Sequence, residues 1–536
     1  MDTSKEAATV HAPVEPEKIE ISHADVLDRK HYDSAADHAT ELEHRLTVRE
    51  AFARYPMAVV WSVLFCVCII MDGYDSDLIT NLYGLPSFKR KYGFIYKGAY
   101  TVSAPWQTAF AMSSPVGRVI GGGLQGHVAE AIGRKWTLIG CLVTLTGFIF
   151  LTFFAPNNAV LLVGEMLCGV IWGILTSLAP TYASEVCPLR LRDLLTAYVN
   201  LCWSIGELIA SGVLAGYANN TTEWAYRIPF GLQWMWPVLI LTFVLWAPES
   251  PYWLVRHGKI AEAEKALQRL SRAGSGPGGA EAHAVETQQM LALIQRTNDR
   301  EREMEGSASY FECFKGVNLR RTEISAMAWA IQILSGLSLP FYAVVFFEEA
   351  GFPTEQAFNM NVGMTALGFV GTCLSFVLIP RFGRRTLFFN GLLVLTGLML
   401  LIGFMGIAKN RPPIIDAEAA LLIIWFFVYF LTVGPLAYVI FTETSSTRLR
   451  GHTVAIALIA YSSWGIVYNV ASPYLINASA AGLGAKTGLV YGAISLLCCF
   501  WCYFRLPECK DRTFEELDIM FERKVPTRQF KDYVIQ

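Results

Sequence analysis

Long apolar stretches are the feature that most restricts the folds open to this sequence of 536 residues. A helix needs about 20 apolar residues to cross the hydrocarbon core of a bilayer. Because lipid offers the backbone no hydrogen-bond partner, such stretches span a membrane as helices. Those of sufficient length begin near Tyr55, Ala104, Trp136, Ala159, Leu194, Ile228, Ile324, Phe358, Leu387, Leu421, Thr453 and Thr487. The sequence therefore predicts an all-α membrane protein with twelve transmembrane helices.

A repeated signature indicates that these helices form two halves. Glu185-Val-Cys-Pro-Leu-Arg-Leu-Arg192 recurs as Glu443-Thr-Ser-Ser-Thr-Arg-Leu-Arg450, each time after a long apolar run. Each copy lies downstream of a glycine–arginine–basic turn, which contains Arg134 in the first half and Arg384 in the second. Parallel repeats of a multi-helix unit place a substrate path between the halves, near the bilayer midplane. The chain is therefore predicted to be a transporter.

Polar segments set the predicted limits of the two halves. The linker between them contains charged stretches with helical spacing, Ile260–Ser271 and Gln288–Glu303, separated by a glycine-rich run. A solvated spacer without a further role explains this linker equally well. We predict a disordered cytosolic tail over 1–50, a six-helix half over 51–248, a cytosolic linker with short helices over 249–322, a second six-helix half over 323–506 and a cytosolic tail over 507–536.

Basic residues predict the orientation in the membrane. Arg134, Arg384 and the many lysines and arginines between 256 and 321 fall in the connections that the positive-inside rule assigns to the cytosol. The first outer loop, Lys89–Lys97, is also basic and departs from the rule. We predict a multi-pass protein of the cell membrane, surrounded by lipid, with both termini in the cytosol.

Glycosylation triplets give a second test of this orientation. Such triplets begin at Asn219, Asn220 and Asn477, all in loops that the predicted topology places outside. The chain is therefore predicted to be a glycoprotein at these positions, although such short triplets also arise by chance.

Composition and motif spacing exclude several function classes. Charged residues make up 16% of the chain, whereas a soluble chain carries about a quarter. The net charge of −2 gives no sign of a nucleic-acid partner. The sequence has no metal-ligand spacing, nucleotide loop or catalytic constellation, and Cys499 and Cys502 are interpreted as packing residues. We therefore predict that the protein is not an enzyme and binds no cofactor or metal.

Three motifs together resemble the major facilitator superfamily, and within it the sugar porters. Gly126–Lys135 is similar to the loop after the second helix of the superfamily, and Pro248–Leu254 to the sugar-porter signature after the sixth. Pro507–Thr513 is similar to the counterpart after the twelfth helix. The resemblance extends from about residue 40 to the end. It implies the major facilitator fold, with two six-helix halves that open alternately to the two sides.

Within the sugar porters, the chain is most similar to fungal α-glucoside permeases of the maltose type. This resemblance implies a monomer of the fungal plasma membrane that imports sugar together with a proton. The stretches that carry it are Met71–Asp75, Tyr198–Trp203, Gln233–Pro237, Phe346–Gly351, Gly371-Thr372, Pro380–Arg385, Val433–Pro435, Gly484–Gly488 and Phe514–Asp518.

Acidic and basic residues at the inner helix ends are predicted to form a cytosolic gate. We expect Glu185 and Glu443 to pair with Arg134 or Arg384 when the inner side is closed. Only an interaction that differs between two states can shift their equilibrium. The alternative is that these residues merely anchor the topology. The predicted gate consists of Glu130, Arg134, Glu185, Arg192, Arg384, Glu443 and Arg450.

A sugar site needs amides and hydroxyls for hydrogen bonds and aromatic faces for stacking on the rings. Asn200 and Glu207 lie two turns apart on one face of the fifth helix, where the family usually has an amide at both positions. Gln332 matches the first glutamine of the family's seventh-helix motif, whereas Ile333 replaces the second. The predicted substrate-binding residues are Asn200, Glu207, Gln332, Ser338, Tyr342 and Trp464, with Tyr429, Tyr438, Tyr461 and Asn469 as weaker candidates.

Charges inside the predicted spans cost about 2.5–3.5 kcal/mol each on insertion scales, so each needs a partner or a purpose. Asp75 matches the carboxylate that sugar–proton symporters place on the first helix. Arg118 stands where α-glucoside permeases generally have a glutamate, while Leu458-Ile459 replaces their Arg-Asn pair and Phe430 an aspartate. The predicted charge relay for protons consists of Asp72, Asp75, Arg118 and Glu165.

Two interpretations of these substitutions of charged residues remain open. Arg118 could form a titratable pair with Asp72, Asp75 or Glu165 and keep proton coupling, or it could hold a carboxylate ionised and abolish it. We expect a secondary-active sugar porter that takes up α-glucosides such as maltose with protons. The first alternative is a repurposed carrier or exporter of a fungal secondary metabolite. The second is a nutrient sensor, which the short carboxyl-terminal tail argues against.

Overall fold

The computed structural model describes most of the chain beyond the amino-terminal tail. The predicted tail over 1–50 and the glycine-rich part of the linker fall largely outside the described residues. These are residues 38, 46–96, 98–272, 279–305, 310–379, 381–408, 412–445, 449–477, 480–510, 512, 514–531 and 533.

Twelve long helical segments run through the described part of the chain and start within about ten residues of the predicted positions. Ten of these segments are long and apolar enough to cross a membrane. The segments are α1 (Pro56–Asn81), α2 (Ala104–Ile132), α3 (Arg134–Phe153), α4 (Asn158–Val186), α5 (Leu189–Tyr217), α6 (Trp224–Leu232 with Met235–Val244), α7 (Gly316–Gln332, continued by Ile333–Leu337 and Ser338–Phe341), α8 (Thr354–Leu378), α9 (Arg384–Met405), α10 (Pro412–Leu431 with Val433–Thr444), α11 (Arg450–Ile476) and α12 (Thr487–Arg505).

α2 and α11 are not among these ten segments, although they are 29 and 27 residues long. Both line a central cavity, α2 with glycines, Gln125 and His127, and α11 with Tyr461 among other residues. The predicted all-α architecture is confirmed.

Short elements lie at the two ends of the bundle. The end that carries Arg134 and Arg384, called the basic end here, also carries helices Val48–Arg54, Pro251–Arg256, Ile260–Leu270, Gly279–Glu305 and Phe514–Glu522, and 3-10 turns Tyr310–Phe314 and Thr527–Gln529. The opposite end, called the hairpin end, carries 3-10 turns Leu82–Gly84 and Gly484–Lys486, helices Pro86–Tyr92 and Ala343–Ala350, and strands Phe94–Tyr96 and Ala99–Thr101, paired antiparallel with Phe94 opposite Thr101.

Glycines bring helices of the first half into backbone contact. A Cβ atom on Gly121 of α2 would lie 1.9 Å from the Val170 carbonyl oxygen of α4, and one on Gly169 of α4 would lie 2.5 Å from that of Ser114. Gly206 of α5 approaches the Ile70 carbonyl of α1 in the same way, at 2.1 Å. Close backbone approach through small residues is a recurrent way of packing helices in membranes.

Two helix pairs join the halves. On the α5–α8 pair, the hydroxyls of Ser204 and Thr372 lie 3.0 Å apart, and those of Ser211 and Thr365 lie 2.7 Å apart. On the α2–α11 pair, the Asn469 amide donates to the Ala111 carbonyl at 3.4 Å. The cavity lies between these two seams.

α7 is irregular where it passes the cavity. Ile333–Leu337 form a π-helical turn, and Gly336 has φ +105°, a left-handed conformation that glycine adopts without steric cost. Gln332 ends the regular helix just before this turn, and Ser338 starts the next helical piece. The break therefore separates two residues that the sequence placed in one binding motif.

Candidate functional site

A cavity of about 770 Å³ lies between the halves and reaches the basic end of the bundle. Gly126 and His127, in the last turns of α2, line it and are exposed. Its deeper wall comes from α4, α5, α7, α10 and α11, with Thr176, Asn200, Trp203, Glu207, Trp329, Gln332, Phe341, Tyr429, Phe430, Tyr438, Leu458 and Tyr461.

Amide groups on two helices supply hydrogen-bond donors to the cavity. The Tyr429 hydroxyl donates to Gln332 Oε1 at 2.9 Å, which fixes the amide and turns its nitrogen away from the tyrosine. Gln332 Nε2 and Asn200 Nδ2 are among the buried polar atoms without a described protein partner. Both residues line the cavity, so these groups are available to a polar ligand.

An aromatic cluster forms the neighbouring part of the wall. Trp329 stacks on Tyr461 with ring centroids 5.7 Å apart and meets Tyr438 edge-on at the same distance. Flat aromatic faces beside amide groups can hold a polyhydroxylated ring by stacking and by directed hydrogen bonds. Trp329 and Trp203 were missed from the sequence. Trp329 lies one turn before Gln332 on the same helix face, and that spacing could have identified it.

Three predicted substrate residues do not reach the cavity wall. Ser338 and Tyr342 are buried beyond the break in α7, and the Tyr342 ring stacks on Tyr83 with centroids 6.2 Å apart. Trp464 is 41% exposed and lies away from the lining face of α11. These placements correct the expectation that all three face the ligand. Asn200, Glu207 and Gln332 do line the cavity.

Arg118 pairs with Asp72 rather than with Asp75 or Glu165. Its Nη2 donates to Asp72 Oδ1 at 2.5 Å and to Ser76 Oγ at 2.7 Å. Asp72 Oδ2 accepts from the Thr176 hydroxyl at 2.9 Å, so both carboxylate oxygens are engaged. The guanidinium also lies 5.3 Å from the ring centroid of Trp203. Arg118 thus sits on the cavity wall with its charge compensated.

The other predicted relay carboxyls lie behind the cavity wall. Asp75 accepts from Gln233 Nε2 at 2.8 Å and is 1% exposed. Glu165 is also 1% exposed, and neither of its oxygens has a described partner. The structure therefore separates Asp75 and Glu165 from the cavity, whereas Asp72 touches it through Arg118.

Arg134 is the centre of a network at the basic end of the first half. Its side chain is 6% exposed, Nη1 donates to Glu130 Oε2 at 3.0 Å, and Nε and Nη2 donate to the Glu185 carboxylate at 3.0 and 2.8 Å. Arg256 reaches the same Glu130 oxygen at 3.2 Å, and the Ser250 hydroxyl donates to Glu185 at 2.5 Å. Charge-assisted bonds of this kind fix the end of α4 to the start of α3.

A glutamate caps the first turn after each glycine–arginine turn. The Glu249 carboxylate accepts from the backbone N–H of Arg134 at 2.9 Å and of Lys135 at 3.2 Å. Glu508 accepts from the Thr386 N–H at 3.3 Å in the second half. A carboxylate at a helix amino terminus is favoured by the helix dipole. Burial nevertheless raises the pKa of Glu249, against the backbone donors and Arg134 that lower it.

The second half repeats the arginine–glutamate pair in a more exposed form. Arg384 Nε donates to Glu443 Oε1 at 3.1 Å, with side chains 20% and 19% exposed. The side chains of Arg192 and Arg450, the remaining predicted gate residues, lie outside those that the structure describes. The two pairs are therefore formed within their own halves while the cavity is open at this end. This differs from the expectation that they form when the inner side closes.

The hairpin end of the cavity is closed by contacts between the halves. Lys89 Nζ lies 2.6 Å from Glu348 Oε2, which joins the helix Pro86–Tyr92 to Ala343–Ala350. Asn477 Nδ2 donates to Gln107 Oε1 at 2.8 Å. Together with the stacked Tyr83–Tyr342 pair, these contacts separate the cavity from the hairpin end.

The three glycosylation triplets differ in access. Asn477 is 2% exposed, and its amide nitrogen is bonded to Gln107 and Pro473, so a glycan has no room there in this conformation. Asn219 is exposed but donates to Glu355 at 2.9 Å. At Asn220 the Thr222 hydroxyl donates to the asparagine Oδ1 at 2.7 Å. Asn219 and Asn220 remain the predicted positions.

Comparison with known proteins supports the resemblance read from the motifs. The family described as "Sugar (and other) transporter" matches residues 61–521. A general alpha-glucoside permease of Saccharomyces cerevisiae is 37% identical over 514 residues, which cover 95% of this chain and 82% of the relative. The maltose permease MAL31 of the same yeast is 35% identical over 512 residues, with the same two coverages.

Solved structures share the arrangement of helices. The xylose transporter XylE from E. coli, in a partially occluded inward-open conformation, gives a TM-score of 0.68 at 18% identity and covers 85% of this chain and 100% of that chain. The same transporter bound to 6-bromo-6-deoxy-D-glucose gives 0.66 at 20% identity, with coverages of 87% and 99%. These likenesses confirm the predicted major facilitator fold.

Proposed function

Since the chain belongs to the sugar transporter family, we propose that it carries α-glucosides such as maltose across the cell membrane by alternating access. The observation that supports this most is the cavity itself, where free amide donors of Asn200 and Gln332 adjoin the aromatic faces around Trp329. Its volume of about 770 Å³ lies within the range of pockets that enclose small organic ligands. The relatives that transport alpha-glucosides and maltose support the substrate class.

Asn200, Gln332 and Glu207 are proposed to bind the hydroxyls of the substrate. The weaker candidates Tyr429, Tyr438 and Tyr461 line the same cavity and are proposed to support the ring faces. Ser338 and Tyr342 lie at the closed end, so any role for them is in closing the hairpin end rather than in ligand contact. The substrate then reaches its site from whichever side is open.

Uptake is proposed to be driven by protons. Carboxyl groups inside the membrane are costly and therefore mark relay sites in transporters. Asp75 and Glu165 are proposed to remain titratable, since Arg118 is occupied by Asp72 and leaves both without a cation within hydrogen-bond distance in the described contacts. The proton–sugar symport of XylE is a property of that protein and supports this proposal by analogy alone.

The basic end is proposed to face the cytosol, with both termini and the linker on that side and a single chain as the working unit. The positive-inside rule supports this orientation for Arg134, Arg384 and the linker. The described conformation is then open to the cytosol and closed to the outside. In that orientation Lys89 lies in the first outer loop, whose basic residues depart from the positive-inside rule. Its pairing with Glu348 gives this lysine a role in closing the hairpin end.

The arginine–glutamate pairs are proposed to hold each half as a rigid unit and to form the cytosolic gate through other surfaces of the same residues. Glu130 is 42% exposed and therefore able to meet the second half when the basic end closes. Because exposed pairs contribute little energy, the buried Arg134 network would dominate the stability of this end.

A second candidate function is transport of a less polar fungal metabolite or its glycoside. Phe430, Leu458 and Ile459 line the cavity at positions where α-glucoside permeases generally carry polar or charged residues. An apolar wall favours a substrate with an apolar part.

Uptake by yeast cells lacking their own α-glucoside permeases tests the proposal. Cells that express the chain should accumulate labelled maltose, and an uncoupler should abolish accumulation above the outside concentration. Surface expression without uptake would contradict the substrate class. Uptake that the uncoupler leaves unchanged would indicate a facilitator instead of a symporter.

A further inference from the structure

Glu207 lies in the wall of the cavity without a cation. It is 3% exposed, lines the cavity from α5, and takes part in none of the described ion pairs. None of the described hydrogen bonds engages its carboxyl oxygens. The resemblance implies an amide at this position, and this chain carries a titratable carboxyl there instead.

The other carboxyl groups near the cavity are engaged or hidden. Asp72 is bonded through both oxygens, to Arg118 and Thr176. Asp75 and Asp77 each accept from an amide, of Gln233 and Asn81, and are at most 3% exposed. Among Asp72, Asp75, Asp77, Glu165 and Glu207, Glu207 is the one that lines the cavity.

The groups that face Glu207 leave its charge uncompensated. Asp77 of α1 interacts with it electrostatically and has the same sign. Tyr429 of α10 and Tyr461 of α11 line the same cavity. α8 presents Thr365 and Thr372, bonded to Ser211 and Ser204. α4 carries Glu165, and α2 carries Arg118, whose charge is already paired with Asp72.

We propose that Glu207 is the group at which the proton meets the substrate, with Asp75 and Glu165 as relay groups behind the cavity wall. This inference rests on the proposed sugar transport. A protonated carboxyl donates one hydrogen bond and accepts another, as the amide of the relatives does. It can therefore bind substrate hydroxyls beside Asn200 and Gln332. The ionised carboxylate is an unpaired charge that must stay hydrated, so the cavity cannot close over it. Proton and sugar then enter together, and cavity water takes the proton up again when the sugar leaves at the basic end.

The variant Glu207→Gln tests this coupling because it imitates the protonated form permanently. It should lose both the accumulation of labelled maltose above the outside concentration and the pH dependence of uptake. Glu207→Asp, which keeps a carboxyl, should retain the pH dependence. Glu418→Gln is the matched control, because Glu418 is a 6% exposed carboxyl of α10 that does not line the cavity.

A measurement without substrate separates this inference from the proposed function. Infrared difference spectra of the purified protein in lipid vesicles, taken between acidic and neutral pH, should contain a carboxyl band that Glu207→Gln removes and Glu418→Gln keeps. An unchanged band, or wild-type accumulation by Glu207→Gln, overturns the role of Glu207. If the wild type takes up no maltose, the proposed substrate fails, and loss or retention of the band still decides whether Glu207 binds the proton.

Discussion

Arg118 and Asp72 form a charge pair at the edge of the cavity. The pair is partly buried: the side chain of Arg118 is 25% exposed and that of Asp72 is 1% exposed. Ser76, Thr176 and Trp203 complete its surroundings. Such an arrangement fixes α1 to α2 and α4 and leaves no free charge at this point of the wall.

Removing one partner of this pair should destabilise the protein more than removing both. Arg118→Met leaves the Asp72 carboxylate buried with one hydroxyl donor, and we expect a loss of about 3 kcal/mol in the free energy of unfolding. The double variant Asp72→Asn with Arg118→Met removes both charges and should recover most of that loss. Thermal unfolding of the detergent-solubilised protein measures the difference. A double variant as unstable as Arg118→Met would contradict the pairing.

The sequence could predict that these charged residues lie in the membrane, but not which of them meet. Asp72, Asp75 and Glu165 were equivalent partners for Arg118 because helix rotation and depth decide the contact, and neither is encoded in spacing. Trp464 was assigned to the wrong face of α11 for the same reason. Asn200 and Glu207 were placed correctly because seven residues on one helix define a face whatever the packing.

At the scale of elements, the closure of the hairpin end depends on short pieces that hydropathy does not reveal. Pro86–Tyr92 and Ala343–Ala350 are too short to span a membrane, yet they hold Lys89 and Glu348 across the two halves. Thr354 also donates to Glu348 Oε1, at 2.6 Å. The pair is therefore oriented in the described conformation and would be separated when this end opens.

Breaking the Lys89–Glu348 pair should open the hairpin end more often. In Lys89→Ala, a cysteine at Ser462, on the cavity wall, should react faster with a membrane-impermeant thiol reagent added from outside. The exposed Lys91, on the same short helix, supplies the control Lys91→Ala, which should leave the rate unchanged. The half-buried Cys373 is replaced beforehand. Equal rates in all three backgrounds would show that the pair does not hold this end closed.

The transmembrane spans were predictable from the sequence because contact with lipid requires apolar residues, however the helices pack. The break in α7 was not, since Gly336 is one of 43 glycines, and only the packing shows that a Cβ atom there would lie 2.8 Å from Met399 Cε. The gate is a similar case. Arg134 and Glu185 were paired correctly, but the state of the cavity while they are paired depends on how the two halves tilt.

At the scale of the whole molecule, the carboxyl-terminal segment ties the basic end of the second half together. Phe521 and Phe530 are buried at 1% and 0% exposure, and Arg320 donates to the Val525 carbonyl at 2.9 Å. Arg512 donates to the carbonyl of Tyr533 at 2.6 Å. The segment therefore folds back against α7 instead of extending away from the bundle.

Truncation of one buried ring should show how much this segment contributes. Phe530→Ala should lower the free energy of unfolding by about 3–5 kcal/mol, as for other fully buried phenylalanines. The exposed neighbour Gln529 supplies the control Gln529→Ala, which should change it little. Thermal unfolding in detergent compares the two. If both variants melt like the wild type, the docking of the segment contributes nothing to stability.

The glycine contacts between α2 and α4 have a consequence for inheritance. Gly117, Gly121, Gly169 and Gly173 leave no space for even a methyl group, because each would place a Cβ within 2.5 Å of a backbone oxygen of the facing helix. Lipid-facing positions can exchange one apolar residue for another without such a conflict. Among descendants of this gene, drift should therefore accumulate on the outer surface, while single-nucleotide changes that replace any of these four glycines should be loss-of-function alleles.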